Sequence, residues 1–211
     1  MKRVKELFFT RNLTVLLNVL AMILVIGIVG AGLTTNDTRW LGWSLSRLGE
    51  NQTISAAIFN VSVILASFVL ARIGVILSEN LHAIDDHRAA KLTKFSVLAL
   101  AICALGVGLF PNDTWHQVHF LLSRNIVALL SIYMVALPLV LTGLNRRQYI
   151  AAYCAPILIL YLSIRGYVAK NISFVLFEIL LGFVIFAWFF AVCRLVEQKA
   201  SADEPIAQSN Q

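Results

Sequence analysis

Six long apolar runs, separated by short polar segments, dominate the pattern of hydrophobic and polar positions along the chain. A helix needs about 20 residues to cross the hydrocarbon core of a bilayer, and five of the runs reach that length. The third run is shorter, and we expect its helix to begin a turn earlier, near Lys91, whose long side chain can extend to the interface. The pattern therefore predicts one all-α domain within residues 1–196, a polytopic membrane bundle of six transmembrane helices. The predicted spans are 13–33, 54–77, 95–110, 120–144, 149–168 and 172–196.

The composition strengthens this interpretation and excludes a soluble domain. Hydrophobic residues make up 59% of the 211 residues, charged residues make up 13%, and the mean hydropathy is +0.82. A soluble domain carries about 25% charged residues, because its surface faces water. The net charge of +6 is spread between the apolar runs and is not gathered on one face, so nucleic acid is not an expected partner. The polar end, 197–211, predicts a short disordered tail.

The distribution of Lys and Arg predicts the orientation of the bundle. Cytoplasmic segments of membrane proteins are enriched in these residues. With the N-terminus inside, twelve of the 17 Lys and Arg side chains lie on the cytoplasmic side and five lie on the outer side. We therefore expect both termini to be cytoplasmic. Three tryptophans fall on the outer side, where amphipathic rings favour the interface: Trp40, Trp43 and Trp115.

Polar residues concentrate in the turn that follows the third span. Asp113, His116 and His119 recur every three residues, and they would share one helix face if Asp113 or Thr114 capped the fourth helix. A carboxylate and two imidazoles can bind zinc, or they can act as a general base and the group that orients it. Alternatively, an interfacial histidine only forms a hydrogen bond with a loop. The turn is thus a candidate catalytic or metal site, with zinc as the cofactor if one is present.

Ionisable residues inside the membrane are costly, and they therefore mark candidate sites. Arg165 lies about four residues before the turn between the fifth and sixth spans, and Glu178 lies about seven residues after it. A rise of about 1.5 Å per residue puts them roughly 6 and 10 Å below that turn, where they can meet as a charge pair. Such a pair would either lock two helices together or bind a substrate. Arg124 in the fourth span also has two alternatives, because its guanidinium can bind a phosphate or carboxylate or extend to the headgroups.

The first outer loop has an apolar pattern of its own. Leu41, Leu45 and Leu48 recur at helical spacing beside tryptophans, which predicts a short helix lying in the outer interface. Such a helix would bring Arg47 and Glu50 to the mouth of the bundle as candidate site residues. In the alternative interpretation it is only an interfacial anchor.

Small side chains follow one face of the second span, which predicts close packing against neighbouring helices. This face is also a candidate surface for homo- or hetero-oligomers. Prolines inside the fourth and fifth spans, Pro138 and Pro156, are expected to kink them and to open a cavity. The residues of the small face are Asn60, Ser67, Ala71 and Gly74.

Three short motifs carry a resemblance to a known family. They are Ser46-Arg-Leu-Gly-Glu50, Phe59-Asn60, and Gly106-Val-Gly-Leu-Phe-Pro111 with a histidine a few residues later. Together they resemble the bacterial and archaeal domain-of-unknown-function 998 family of six-span membrane proteins. The resemblance implies six spans, a polar site at the outer face and a bacterial cytoplasmic membrane, while His116 and His119 compete for the family's histidine. The layout is also similar to that of Frag1-type proteins, which are linked to lipid-anchor remodelling.

These features support one main functional hypothesis and two alternatives. The main hypothesis is an outward-facing site that binds or processes a lipid or lipid-linked substrate. Either histidine would act there as a base or metal ligand, with Glu50 or Asp113 as its partner. The alternatives are a small transporter or channel subunit, and an accessory subunit of a larger membrane complex. The candidate substrate-binding residues are Arg47, Asn60, Arg124, Arg165 and Glu178.

Overall fold

The structure is a computed structural model, and it describes residues 11–51, 53–168 and 172–208. Within these residues the chain is helical, with no strand, and six helices are long and apolar enough to cross a membrane. The predicted fold class is thereby confirmed. Two 3-10 helices, Thr38–Gly42 and Leu45–Gly49, precede the second span, and a π-helical turn, Ile164–Val168, extends the fifth. The six long helices are α1 Leu13–Thr34, α2 Ile54–Ala83, α3 His87–Leu109, α4 His116–Val140, α5 Arg146–Ser163 and α6 Phe174–Gln208.

Successive helices run in opposite directions, so the connecting segments gather at the two ends of the bundle. We call the end with the turns 84–86 and 141–145 the terminal face, because α1 begins there and the sixth span ends there. The Leu13 amide donates to Glu197 Oε1 at 2.8 Å, which ties α1 to α6 at that end. The opposite end, with segments 35–53 and 110–115, is the loop face. The prediction that the terminal face is cytoplasmic rests on the Lys and Arg distribution.

Side-chain caps explain where three of the helices begin. The first amides of a helix lack partners within it, and Asn or Thr side chains at the N-cap position accept from them. Asn12 and Thr53 each accept from the amide three residues further on, at the starts of α1 and α2. At the start of α5, Asn145 accepts from the Gln148 amide while the Gln148 side chain accepts from the Asn145 amide. This reciprocal pair is a capping box.

Small residues let α2 approach its neighbours closely. A Cβ on Gly74 would lie 2.8 Å from Val97 of α3, and a Cβ on Gly27 of α1 would lie 2.3 Å from Ser62 of α2. In a bilayer, helices associate through this kind of packing and through interhelical hydrogen bonds, because lipid tails are as apolar as the helices themselves. The close packing that the sequence predicts for the second span is confirmed at Gly74.

Tyr133 joins α4 to this core. Its side chain is fully buried, and its hydroxyl lies 3.0 Å from Thr93 Oγ1 of α3. Its ring packs edge-on against Trp188 of α6, with the ring centroids 5.5 Å apart. The pairing of the hydroxyl satisfies the one polar group of a tyrosine that is otherwise surrounded by apolar side chains.

Two helices extend beyond their apolar runs at the terminal face. α2 continues to Ala83 and α3 begins at His87, whereas the apolar runs stop at 77 and resume at 95. The extra turns pack on each other, since Ser78 Oγ donates to the Ala90 carbonyl at 2.9 Å and Ala90 is buried. An apolar run therefore measures the part of a helix inside the hydrocarbon and not the whole helix.

The sixth span also departs from the prediction. α6 continues through Gln208, beyond the predicted span end at residue 196, and residues 209–211 lie outside the described part of the chain. Two contacts at the terminal face hold the first residues of this extension. Glu197 accepts from the Leu13 amide, and Lys199 Nζ donates to the Thr142 carbonyl at 2.5 Å. These bonds hold residues that a polar composition alone assigns to solvent.

The fifth span is the one least embedded in the bundle. Its buried residues are Ile159 and Leu162. The helices α4 and α5 continue through Pro138 and Pro156 respectively. Pro138 lines a cavity of about 550 Å³ between α4, α5 and α6. The cavity thus lies beside one of the two prolines, and the predicted kinks stay a prediction.

Candidate functional site

The 3-10 helix Leu45–Gly49 covers the bundle at the loop face. Leu48 is 2% exposed and packs with Ala31 of α1 and Phe59 of α2. The Ser55 hydroxyl lies 2.9 Å from the Ala31 carbonyl oxygen and 3.2 Å from the Leu48 carbonyl oxygen. Carbonyl oxygens only accept, so the hydroxyl donates to both. The segment is therefore attached to two helices by packing and by hydrogen bonds.

The interfacial helix that the sequence predicts is present in a divided form. The chain forms two short 3-10 helices, with a break at Trp43. Leu41 is exposed whereas Leu48 is buried, so the predicted apolar face is not continuous. The Arg47 guanidinium lies 4.2 Å from the centroid of the Trp43 ring, a cation–π contact. This candidate site residue is thus held against an aromatic ring of its own loop.

Asn60 is the point where the three resembling motifs meet. Its Nδ2 donates to the Gly49 carbonyl at 3.1 Å. A Cβ at position 49 would lie 2.4 Å from Asn60 Oδ1, and a Cβ at Gly108 of α3 would lie 3.0 Å from the Asn60 carbonyl oxygen. Only glycine allows the loop and α3 to approach Asn60 this closely. We call the segment Leu45–Gly49 the covering loop. In this structure Asn60 holds the covering loop in place.

Glu178 holds the same loop from α6. The Leu45 amide donates to Glu178 Oε2 at 2.6 Å. Leu45 is the first residue of its 3-10 helix, and the preceding Ser44 makes no capping hydrogen bond with its side chain, so Glu178 satisfies an amide that lacks a partner within the helix. Among the described residues no ion pair joins Glu178 to Arg165. The predicted charge pair is therefore wrong, because a loop amide reaches the carboxylate instead.

Arg165 lies in the π-helical turn Ile164–Val168 at the loop-face end of the fifth span, where its side chain is partly buried. Such turns insert an extra residue into a helix, and they are frequent at functional sites. The turn displaces Arg165 from the regular helix register on which the prediction of a partner was based.

A chain of hydrogen bonds connects three side chains from different segments of the loop face. Asn112 Nδ2 donates to Glu50 Oε1 at 2.8 Å, and His116 Nδ1 lies 2.9 Å from Asn112 Oδ1. Glu50 follows the covering loop, Asn112 lies in the turn after α3, and His116 opens α4. The His116 side chain is exposed. The chain thus runs from a half-buried carboxylate to an imidazole at the surface.

Donor and acceptor rules determine which nitrogen of His116 carries its proton. An ionised carboxylate only accepts, so the Asn112 amide directs its NH2 group at Glu50 and its oxygen at His116. That oxygen also only accepts, so His116 Nδ1 is the donor. In the neutral ring this leaves Nε2 as an acceptor directed away from the chain. An amide does not take up protons, so Glu50 and Asn112 orient the imidazole and do not relay a proton from it.

The other two members of the predicted histidine and aspartate group have separate partners. His119 is 5% exposed, and its Nδ1 lies 2.8 Å from the Phe110 carbonyl oxygen. Asp113 accepts from the Asn51 amide at 2.8 Å and from the Thr114 amide at 3.0 Å. In the described residues no group of three or more His, Cys, Asp or Glu side chains is arranged to hold a metal ion. Asp113, His116 and His119 thus have separate partners here, and zinc binding by them stays a hypothesis.

The start of α4 explains why these residues do not share a face. The helix begins at His116, with Trp115 as the N-cap and no capping hydrogen bond from its side chain. The prediction that Asp113 or Thr114 caps the helix is wrong. Asp113 instead belongs to the turn before the helix, where it fastens the end of the covering loop.

A shallow groove, open to the outside, follows His116 down the outer surface of α4. It is lined by residues of this one helix, among them Phe120, Arg124 and Asn125. The His116 and Phe120 rings are stacked, with centroids 6.1 Å apart, and the Arg124 guanidinium lies 5.3 Å from the Phe120 centroid. Residues four apart lie on one side of a helix. The imidazole and the guanidinium therefore flank the same aromatic ring.

The role of Asn112 in this arrangement was not predicted. The sequence pattern marks Asn112 only as a turn residue. A signal for its role is present in the sequence, since Asn112 and His116 are four residues apart across the start of a helix. Side chains at that spacing are neighbours when the backbone is helical or nearly so. The link to Glu50 has no comparable signal, because 62 residues separate Glu50 from Asn112.

Comparison with known proteins adds one finding to this geometry. The sequence profile of the family described as "Protein of unknown function (DUF998)" matches residues 19–195. The chain belongs to this family. A search of the curated proteins and a search of the solved structures found no match.

The DUF998 match covers the whole of the candidate site. It begins within α1, ends within α6, and includes both the covering loop and the turn before α4. The family that the three motifs resemble is thus the family of the chain. Within this DUF998 protein the three motifs meet at Asn60, and Glu50, which ends the first motif, begins the chain to His116.

Proposed function

We propose that the loop face of this DUF998 protein binds the anionic headgroup of a lipid or lipid-linked substrate, and that His116 and Arg124 contact it. The observation that carries the proposal is the chain from Glu50 through Asn112 to the exposed His116 ring. Ordering a surface side chain costs conformational entropy. A pair of side chains that directs one imidazole nitrogen outward is the arrangement expected of a binding or catalytic group.

The groove supplies the charge that an anionic headgroup requires. Arg124 is exposed and flanks the same ring as His116. Its planar guanidinium offers paired donors that match phosphate and carboxylate oxygens. Eight residues separate the two side chains, which corresponds to about 12 Å along the helix. The groove therefore extends from the membrane surface into the upper part of the bilayer, the depth at which headgroups and glycerol backbones lie.

The Lys and Arg distribution supports an outward orientation for this face. Twelve of the 17 basic residues belong to segments that the topology assigns to the terminal side, which favours a cytoplasmic terminal face. The substrate would then come from the outer leaflet of a bacterial cytoplasmic membrane. His116 Nε2 would accept a hydrogen bond from the headgroup, or a proton from it if the protein processes its ligand.

The transporter alternative receives less support. Glu178, its main candidate for a pathway residue, is engaged by the Leu45 amide. The interior of the bundle between α2, α3 and α4 is filled with apolar side chains such as Ile73, Leu100 and Met134. A carboxylate that already accepts a hydrogen bond from a loop amide is poorly suited to bind a passing ion.

Headgroup binding can be tested with the purified protein in nanodiscs. The probe is phosphatidylglycerol in a phosphatidylcholine background of the same acyl chains, with retained lipid measured by mass spectrometry after release from the nanodisc. We expect Arg124→Gln to lower phosphatidylglycerol retention about tenfold, since a hydrogen bond to a charged group contributes about 1.5–3 kcal/mol. His116→Ala should lower it further.

The matched control is Arg88→Gln, which removes an exposed arginine of α3 at the terminal face. It carries the same change in charge and should leave retention at the loop face unchanged. Equal losses in Arg124→Gln and Arg88→Gln would mean that net charge alone attracts the lipid, and would contradict the proposal.

A further inference from the structure

An apolar cleft opens between α4, α5 and α6 in the half of the bundle next to the terminal face. Its volume is about 550 Å³, within the range of about 300–1,000 Å³ that is common for small-molecule sites. Gln148 at its mouth and Leu158 at its inner end are ten residues apart on α5, about 15 Å along the helix axis. That length is half of the hydrocarbon core, which is about 30 Å thick. The cleft therefore has the depth of one leaflet.

A tryptophan keeps α5 and α6 apart along this cleft. Trp188 Nε1 of α6 donates to the Ala152 carbonyl of α5 at 3.1 Å. Pro156 has no N–H with which to bond that carbonyl, four residues before it, so the indole satisfies an acceptor that the proline leaves open. Beside the indole, the lining contributed by α6 includes the small side chains of Ala187 and Ala191. The bulky indole separates the helices, and the alanines leave the intervening space open.

The mouth of the cleft joins a second, polar cavity. Arg194 and Gln198 line both the apolar cleft and a cavity of about 600 Å³ that also includes Arg11 and Glu197. Arg11 is paired with Glu79 at 2.6 Å, and Glu197 accepts from the Leu13 amide. Arg194 is exposed and its guanidinium lies 5.8 Å from the Phe190 ring. In the part of the chain that the structure describes, no carboxylate pairs with Arg194.

We propose that this composite cavity binds one anionic phospholipid of the leaflet at the terminal face. One acyl chain fills the apolar cleft, and the phosphate is bound by the Arg194 guanidinium with the Gln198 amide beside it. A guanidinium forms paired hydrogen bonds with phosphate oxygens. Charge complementarity favours a headgroup with a net negative charge, because the ammonium group of a zwitterionic headgroup would be repelled by the arginine. Basic pockets between membrane helices on the cytoplasmic side bind such headgroups. The site differs from the loop-face groove in leaflet, in helices and in residues.

The test compares phosphatidylglycerol with phosphatidylcholine of identical acyl chains, bound to the full-length protein in detergent and counted by native mass spectrometry. All proteins in this test carry Arg124→Gln, so that the loop-face groove does not contribute bound phosphatidylglycerol. In this background the protein with Arg194 intact is expected to retain one phosphatidylglycerol in preference to phosphatidylcholine. Arg194→Gln should lower retention of phosphatidylglycerol about tenfold and leave phosphatidylcholine unchanged. Arg146→Gln is the matched control, since Arg146 is an exposed arginine at the same face that lines neither cavity.

A second variant tests the acyl-chain part of the cavity. Ala191→Leu adds volume to an exposed lining position, so it should reduce retention of both lipids without lowering thermal stability. Undiminished phosphatidylglycerol retention in both Arg194→Gln and Ala191→Leu would overturn the proposal. A wild-type dimer that becomes a monomer in Ala191→Leu would also overturn it, since a second copy would then occupy the cleft.

Discussion

The loop face and the terminal face use the same kind of hydrogen bond for different results. In both, a carboxylate accepts from a backbone amide that is distant along the chain. Glu178 accepts from the Leu45 amide on the loop face, and Asp86 accepts from the Thr142 amide on the terminal face. These bonds connect segments 133 and 56 residues apart. Polar side chains at either end of the bundle thus serve first to hold connecting segments.

The two faces differ in the group that remains available once these bonds are made. On the terminal face one such group is Arg194, a permanent cation that lines the apolar cleft. On the loop face it is the His116 imidazole, a group that can exchange a proton and that two other side chains orient. The comparison teaches that polar residues alone do not identify a site in a membrane protein. The candidate site is identified by the polar group that remains exposed after other polar side chains have formed hydrogen bonds with the connecting segments.

Removing the Asp86 carboxylate, which holds the turn 141–145 at the terminal face, is expected to have the largest effect on stability. Asp86 is 3% exposed, and its Oδ2 accepts from the amide and the hydroxyl of Thr142 at 2.7 and 3.0 Å. We expect Asp86→Ala to lower the free energy of unfolding by about 2–3 kcal/mol, because hydrogen bonds to charged groups contribute more than neutral ones. Thermal unfolding in detergent measures the change.

The neighbouring Asp85 provides the control for this prediction. Its side chain is 93% exposed, and its φ of 59° lies in the left-handed region that asparagine tolerates. Asp85→Asn should change stability by less than about 0.5 kcal/mol. Similar losses in the two variants would show that turn charge, and not the bond to Thr142, stabilises the terminal face.

The approach of the covering loop to α2 is expected to give the second largest effect. A Cβ at position 49 would lie 2.4 Å from Asn60 Oδ1, so Gly49→Ala should destabilise the protein by about 2 kcal/mol, as overpacking does elsewhere. Gly42→Ala is the matched control, because a Cβ there meets nothing within 4 Å. Hydrogen exchange should report faster exchange of the Leu45 amide in Gly49→Ala only. A second change, Asn60→Ala, should restore part of the loss, and its failure to do so would locate the strain elsewhere.

Glu178 comes next, with a smaller expected effect. Glu178→Ala removes the acceptor of the Leu45 amide and should cost about 1–1.5 kcal/mol. Glu178→Gln keeps an oxygen acceptor and should cost less than half of that. A double-mutant cycle with Arg165→Gln, read by thermal unfolding, should give a coupling energy below about 0.5 kcal/mol. Strong coupling would restore the charge pair that the sequence analysis predicts.

The six spans are predictable from the sequence, whereas the contacts of Glu178 are not. A bilayer requires about 20 apolar residues for each span, so chain length and hydropathy identify all six helices. The partner of Glu178 is a backbone amide in a loop 133 residues away. A backbone amide has no residue type of its own, and so no sequence pattern marks it as a partner.

The three motifs that carry the family resemblance show a second limit of prediction from sequence, which is the assignment of a role to each residue. Gly49, Asn60 and Gly108 are close in space because the loop, α2 and α3 meet there. Asn60 is a predicted substrate-binding residue, whereas its contacts in the structure hold the covering loop. Candidate site residues that are predictable from polarity alone, such as His116 and Arg124, remain exposed. Their relation through Phe120 follows from helical spacing.

The smallest expected effect concerns the orientation of His116. It distinguishes a side chain that holds a connecting segment from one that orients the imidazole. Asn112→Ala removes the link between Glu50 and His116 at a partly exposed position, so stability should change by less than about 0.5 kcal/mol. Headgroup retention at the loop face should nevertheless fall about threefold, because the imidazole must then be ordered on binding. Asn36→Ala, at an exposed asparagine of the same face, is the control and should change neither quantity. If Asn112→Ala instead lowered stability as much as Glu178→Ala does, Asn112 would be one more brace, and the distinction between the two faces would lose its main support.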